Sequence, residues 1–137
     1  METFLAAKEM IHISNSALDE EVAFQFYLQK KKFADAINKR CLHQYHLLET
    51  WLSEEKRLQA VLPQGGVVCF PLIKPLTGID TDKFYHTLLQ KYKTMVGPGH
   101  WFEMPDTYMR IGFGWTDAAT LSAGLENISK ALTDASD

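Results

Sequence analysis

The sequence has 137 residues, of which 46% are hydrophobic and 23% charged, and its formal net charge is −3. That length suffices for one domain with a core of its own. The acidic balance offers no basic excess, which argues against nucleic acid or an anionic membrane as the partner.

The first half of the sequence predicts three helices. Residues 1–13 have a short helical pattern, and Ser16 is placed to cap a second helix whose first turn contains Asp19 and Glu20. The longest helix is predicted over about residues 34–60, because apolar side chains recur on one face: Ile37, Cys41, Tyr45, Leu48 and Leu52. A helix of this length spans about 40 Å, which suggests that it reaches toward something outside a small domain.

Short strands and two more helices are predicted for the second half. The Pro63–Gly66 turn ends the long helix, and residues 67–70 form an apolar strand that Pro71 interrupts. Asp80 or Thr81 caps the next helix, whose apolar side contains Phe84, Tyr85, Leu88, Leu89 and Tyr92.

A short strand at Met95–Val96 and a tight turn at residues 97–99 are predicted next. Thr116, beside Asp117, is expected to cap the last helix, whose apolar side chains again share one face: Leu121, Leu125, Ile128 and Leu132. The order of elements predicts an α+β fold, with a small sheet of about three strands and helices packed on one side.

Arg110 is the unusual residue of the predicted strand at residues 107–114. The residues around it favour a half-buried strand, whereas arginine keeps its charge and needs a partner when it is buried. Its planar guanidinium suits a carboxylate or a phosphate, which it can bind through two parallel hydrogen bonds. The residues alone also allow, and slightly favour, an arginine that pairs with Glu103 or Asp106 or one that extends to solvent.

Other candidate residues have ordinary explanations. His43 and His46 are spaced to share a metal, yet no third ligand stands near them in sequence, so no metal site is expected. His100 is a possible acid–base residue or a surface histidine in a loop. Trp101 and Phe102 fit either the core or the wall of a pocket.

The cysteines and the apolar runs predict a cytoplasmic protein. Cys41 and Cys69 lie far apart without metal spacing, which favours reduced core residues over a disulfide. The N-terminus lacks the pattern of a signal peptide, and the longest apolar run, residues 67–73, is too short to span a membrane.

Three segments together resemble the C-terminal part of class I/II aminotransferases, which are pyridoxal-phosphate enzymes of fold type I. The segments are residues 65–71, residues 96–103 and residues 108–114, and the similarity also includes residues 6–9 and 15–20. The resemblance implies that Arg110 binds the α-carboxylate of the substrate, and that Gly65 and Gly66 form a turn near the substrate. It also implies an interdomain role for the long helix.

The same resemblance implies that a separate large domain holds the cofactor. The family holds pyridoxal 5'-phosphate on a lysine of that domain. The motif around that lysine does not occur in this sequence, and Lys8 does not match it. We therefore expect a fragment: residues 1–33 as the tail of a missing large domain, and residues 34–137 as the small domain with its linking helix. The full enzyme is expected to be a homodimer acting on an amino acid and a 2-oxo acid.

Two other functions compete with this interpretation. The chain could be a free-standing module that uses Arg110 to sense a carboxylate metabolite. It could instead be a non-catalytic interaction protein, which assembles through the surface that a large domain would cover.

Overall fold

A computed structural model describes residues 2–11 and 16–136, which divide into two compact units between Ile37 and Asn38. The first unit contains α1 (Glu2–Ile11), α2 (Ala17–Leu28) and the start of α3 (Lys30–Glu54). Ser16 caps α2 as predicted, because its side-chain oxygen accepts a hydrogen bond from the backbone N–H of Asp19 at 3.4 Å. The end of the helix predicted for residues 1–13 lies outside the described residues.

The helices of the first unit expose their apolar side chains. None of the described residues of α1 and α2 is buried. Phe26 and Phe33 contact each other with ring centroids 5.5 Å apart, yet both remain exposed. The other large apolar side chains that α1 and α2 expose are Phe4, Leu5, Met10, Ile11, Leu18, Val22, Phe24, Tyr27 and Leu28.

The second unit contains the rest of α3 and all the strands. In chain order its further elements are β1 (Leu58–Gln59), β2 (Val68–Cys69), β3 (Leu72–Ile73), a 3-10 turn (Pro75–Thr77), α4 (Thr81–Gln90), β4 (Gly97–Pro98), a second 3-10 turn (Gly99–Phe102), β5 (Met109–Gly112) and α5 (Ala118–Asp134). Strands β2, β5 and β4 form an antiparallel sheet in that order, and β1 pairs with β3.

The three-stranded sheet has one covered face and one open face. Met109, Ile111 and Phe113 alternate with exposed residues along β5 and point into the core, as the period of two in a strand requires. Leu48 of α3 and the apolar stripes of α4 and α5 belong to the same core. The α+β fold with helices on one side of a small sheet is therefore confirmed.

Three predicted boundaries were wrong. The long helix ends at Glu54 rather than near residue 60, because the chain turns there and buried Leu58 pairs with Ile73. The sheet pairing falls on Gly97–Pro98 rather than on Met95–Val96. Asp117, not Thr116, caps α5, since its carboxylate accepts the backbone N–H of Thr120 at 2.7 Å.

A buried polar cluster joins the end of α3 to α5. The Glu55 carboxylate accepts hydrogen bonds from the Arg57 guanidinium at 2.7 Å and from the Ser129 hydroxyl at 2.8 Å. Ser129 in turn accepts the Trp51 indole N–H at 2.9 Å. The bonds from Arg57 are the main reason that the pKa of Glu55 lies below its usual value, although burial acts in the opposite direction.

No helix among residues 2–11 and 16–136 combines the length and the apolar character that crossing a membrane requires.

Candidate functional site

Arg110 lies at the centre of the open face of the sheet. It occupies the middle strand, β5, where Gly97 of β4 is its partner on one side. On the other side the β2–β5 register places Phe70 opposite it, since Cys69 pairs with Ile111 and the Met109 N–H donates to the Pro71 carbonyl. The Arg110 side chain is exposed. A charged arginine is tolerated at this strand position because this face of the strand is open to solvent.

Arg110 forms no ion pair or side-chain hydrogen bond with another described residue. Glu103 and Asp106, the acids that most closely precede it in sequence, form no ion pair with it. Asp106 is engaged elsewhere: its Oδ1 accepts the backbone N–H of His100 at 3.0 Å and lies 2.7 Å from His100 Nδ1. These bonds hold the pKa of Asp106 below its usual value. The guanidinium therefore has its hydrogen-bond donors available for an external anion.

The segment 99–106 folds back so that Phe102 lies beside the guanidinium. The Met104 N–H donates to the Gly99 carbonyl at 3.1 Å, and the His100–Asp106 bonds close the segment further. Gly99 is required here, because a Cβ at this position would stand 1.9 Å from the Pro105 carbonyl oxygen. The resulting loop places the Phe102 ring centroid 5.4 Å from the Arg110 Cζ atom.

Aromatic rings extend from Phe102 along the open face. Phe102 meets Phe70 edge to face at 5.7 Å, and Phe70 stacks on Tyr108 at 5.5 Å with an interplanar angle of 17°. The Tyr85 hydroxyl donates to the Tyr108 carbonyl at 2.7 Å, and burial raises the pKa of Tyr85 well above its usual range. This contact fixes the strand beside Arg110 against α4.

Gly65 and Gly66 lie at a different place along the same strand pair. The Phe113 N–H donates to the Val67 carbonyl, so Gly66 stands beyond the far end of the pairing, four residues from the position opposite Arg110. That separation is about 13 Å along a strand. Gly66 has φ +81°, which favours glycine, and a Cβ at either position would meet no atom within 4 Å.

The two glycines border a cavity of about 520 Å³, whose other walls include Cys41 and Tyr45 of α3 and Phe113. The structure does not bring this cavity and Arg110 together. The role of Gly65 and Gly66 near a substrate stays a prediction.

Gly112 leaves open space two residues from Arg110 on the same face. A Cβ built on Gly112 would meet no atom within 4 Å. Gly112 also borders a cavity of about 470 Å³ between the chain before β4 and α5, which Thr94, Met95 and Thr116 help to line. Arg110 is not among the residues of its wall.

The histidines do not form a metal centre in the described part of the chain. His46 Nδ1 lies 3.2 Å from Glu49 Oε2 on the exposed side of α3. No group of three possible metal ligands occurs among residues 2–11 and 16–136. His100 is exposed, and its Nδ1 lies 2.7 Å from Asp106 Oδ1.

Sequence reasoning proposed Arg110 as a site residue but did not single out the two residues that stand beside it in the structure. Phe102 appeared only as one of an aromatic pair, and Gly97 appeared only as part of a predicted turn. The sequence did contain a signal for them. The glycine turn that holds Gly97 precedes the Arg110 strand by one short loop, and this loop places both Gly97 and Phe102 beside Arg110.

Comparison with known proteins gives one family. The family described as aminotransferase class I and II matches residues 17–128. None of the curated proteins matches this chain.

Solved structures share the fold over most of this chain. A PLP-dependent aminotransferase from Streptococcus suis matches with a TM-score of 0.77 and 23% identity, and the match covers 95% of this chain and 34% of that protein. LysN, an α-aminoadipate aminotransferase from Thermus thermophilus, gives a TM-score of 0.76 at 14% identity, with 96% and 35% covered. An aromatic aminotransferase from Pyrococcus horikoshii gives 0.65 at 26%, with 77% and 28% covered. The chain therefore spans about a third of the length of these proteins.

Proposed function

The chain belongs to the class I and II aminotransferases, and we propose that Arg110 binds the α-carboxylate of an amino acid and of the 2-oxo acid formed from it. The observation that carries this proposal is the exposed guanidinium of Arg110, which no described carboxylate neutralises. A guanidinium meets a carboxylate through two parallel bonds, and each charge-assisted bond contributes about 1.5–3 kcal/mol.

The described residues around Arg110 do not fit the cofactor of such an enzyme. The side chains on the open face near Arg110 are Phe70, Phe102 and Tyr108, and none of them has an amine that could hold pyridoxal phosphate covalently. In the proposed arrangement a large domain carries pyridoxal phosphate, which supplies the amino-group transfer chemistry, and this chain supplies the carboxylate site.

The surface of the first unit supports such a partner. The described residues of α1 and α2 expose apolar side chains and bury none. Many exposed large apolar side chains on two helices indicate an interaction site. The related structures have about two thirds of their length beyond the part that matches this chain. We propose that α1 and α2 contact the large domain of an aminotransferase.

Reconstitution tests the proposal. The chain would be co-expressed with a polypeptide that corresponds to the large domain of a class I/II aminotransferase, and transamination and the absorbance of bound pyridoxal phosphate would be measured. Arg110→Lys should raise the KM for the amino acid about 10- to 100-fold, because lysine cannot reproduce the bidentate contact. The cofactor absorbance should stay unchanged.

Arg40→Lys is the matched control, since it makes the same chemical change at another exposed arginine. The Arg40 guanidinium donates to the Gly114 carbonyl at 3.2 Å, and it makes no hydrogen bond or cation–π contact with Arg110 or Phe102. Equal kinetics for the wild type and Arg110→Lys would refute the carboxylate role. A complex that binds the cofactor but does not transaminate would refute the proposed reaction.

A further inference from the structure

We propose that Phe102 is a positioning residue, which holds the Arg110 guanidinium in the orientation that receives the carboxylate, and that Gly97 makes this contact possible. The inference rests on the carboxylate role of Arg110 proposed above. It concerns how the chain fixes a long, flexible side chain at an exposed position without occupying the hydrogen bonds that the ligand needs.

The guanidinium of Arg110 lies beside the ring of Phe102. The Arg110 Cζ atom lies 5.4 Å from the centroid of the Phe102 ring, within the range of about 6 Å in which a ring attracts a cation. An arginine side chain that is free to rotate would lose conformational entropy on binding a ligand. A ring beside the guanidinium restricts this motion before the ligand arrives.

The second observation is that the restraint leaves the N–H donors free. A carboxylate partner would use the same donors as the substrate and would have to be displaced. Phe102 interacts through its π-face and accepts no conventional hydrogen bond, so the planar fork of Arg110 remains available. Of the two acids that could compete, Asp106 is held by His100 through its Oδ1 atom, and Glu103 forms no ion pair with Arg110.

The third observation concerns Gly97. A Cβ at this position would lie 2.9 Å from Phe102 Cε2 and 3.4 Å from Arg110 Cβ. Gly97 is also the direct cross-strand partner of Arg110. The missing side chain therefore creates the space in which the Phe102 ring lies beside the arginine.

The ring is itself held in place from two sides. Phe70, which stands opposite Arg110 on β2, meets Phe102 edge to face at 5.7 Å. The 3-10 turn that carries Phe102 ends at Glu103, whose N–H donates to the Gly99 carbonyl. A ring with these supports can fix a neighbouring side chain, which a freely rotating ring on a mobile loop cannot do.

The test uses the whole chain and two measurements on one set of variants. NMR would follow the side-chain NεH and δ-proton resonances of Arg110, identified by their loss in Arg110→Lys, with Arg40 and Arg57 as internal references. Protons near an aromatic face are shifted upfield. Acetate would then be titrated as the carboxylate probe at constant ionic strength, with chloride as the reference anion.

In the wild type we expect upfield-shifted Arg110 resonances. Phe102→Leu should remove this shift and weaken acetate binding about two- to fivefold, and Gly97→Ala should act in the same direction by displacing the ring. Phe102→Trp should restore both the shift and the affinity. Trp101→Leu is the matched control, because it removes the neighbouring exposed aromatic side chain. It should leave both measurements unchanged.

The outcomes separate this inference from the proposed function. If Arg110→Lys binds acetate as well as the wild type does, the carboxylate role of Arg110 is wrong, and the positioning role fails with it. If Arg110→Lys loses binding while Phe102→Leu keeps both the resonance position and the affinity of the wild type, only the positioning role is wrong. Displacement of the Arg40 and Arg57 resonances in Phe102→Leu would show a general structural change, which would also overturn it.

Discussion

Glu55→Gln is expected to destabilise the second unit by about 2–3 kcal/mol. The residue is 8% exposed, and its carboxylate accepts two hydrogen bonds from Arg57 at 2.7 Å and one from Ser129 at 2.8 Å. Glutamine removes the charge and directs an amide N–H₂ toward one of these donors. Water can partly compensate, since the Arg57 side chain is 27% exposed, which places the cost below that of a fully buried pair.

Urea unfolding of the whole chain, followed by tryptophan fluorescence, measures this change in the free energy of unfolding. Glu126→Gln is the matched control, because Glu126 pairs with Lys130 at 2.8 Å with both side chains largely exposed, 67% and 48%. Such a surface pair contributes about 0.5 kcal/mol or less. If the two variants differ from the wild type by the same amount, burial does not strengthen the Glu55 cluster and the reasoning is wrong.

The stability difference between the wild type and Glu55→Gln is expected to depend on pH. Arg57 holds the pKa of folded Glu55 below its usual 4.5. The ionised carboxylate therefore stabilises the fold above pH 4.5, and this contribution is lost as the pH falls through the folded-state pKa. The difference in stability between the wild type and Glu55→Gln should consequently narrow on acidification below pH 4.5. A difference that stays constant over that range would contradict the assignment.

Two further substitutions probe the packing of the second unit. Gly99→Ala should cost more than about 2 kcal/mol in thermal or urea unfolding, because the added Cβ would stand 1.9 Å from the Pro105 oxygen; Gly65→Ala, which meets no atom within 4 Å, serves as its control, and similar losses for both would refute the steric argument. Leu132→Ala, at a fully buried position of α5, should cost about 2–5 kcal/mol, whereas Leu89→Ala at a 46% exposed position of α4 should cost much less. Equal losses at the two leucines would contradict the assigned core.

The periodic parts of the sequence predicted the structure well. Leu121, Leu125, Ile128 and Leu132 share one face of a helix by their spacing, and all four are buried in α5. Ser16 was identified as a cap from its neighbours in sequence, and its side chain accepts the expected backbone N–H. These features depend on residues within one or two turns of each other, so the local sequence contains the information.

Features that depend on distant partners were not predictable in this way. The end of α3 at Glu54 is set by the pairing of Leu58 with Ile73 and by the Glu55 cluster, whose members come from residues 51–57 and from α5. The β1–β3 pair was missed for the same reason. Two-residue strands have almost no periodicity of their own, so only the tertiary contacts define them.

The sequence by itself indicated the class of fold through the spacing of its apolar residues, and its resemblance to class I/II aminotransferases indicated the family and the carboxylate role proposed for Arg110. The tertiary structure decided which face of the sheet is open, that His100 rather than Arg110 engages Asp106, and that Phe102 and Gly97 surround the guanidinium. The physical reason is that a charge is free or neutralised according to what stands beside it in space. That neighbourhood is created by the folding of the 99–106 loop, which no local pattern specifies.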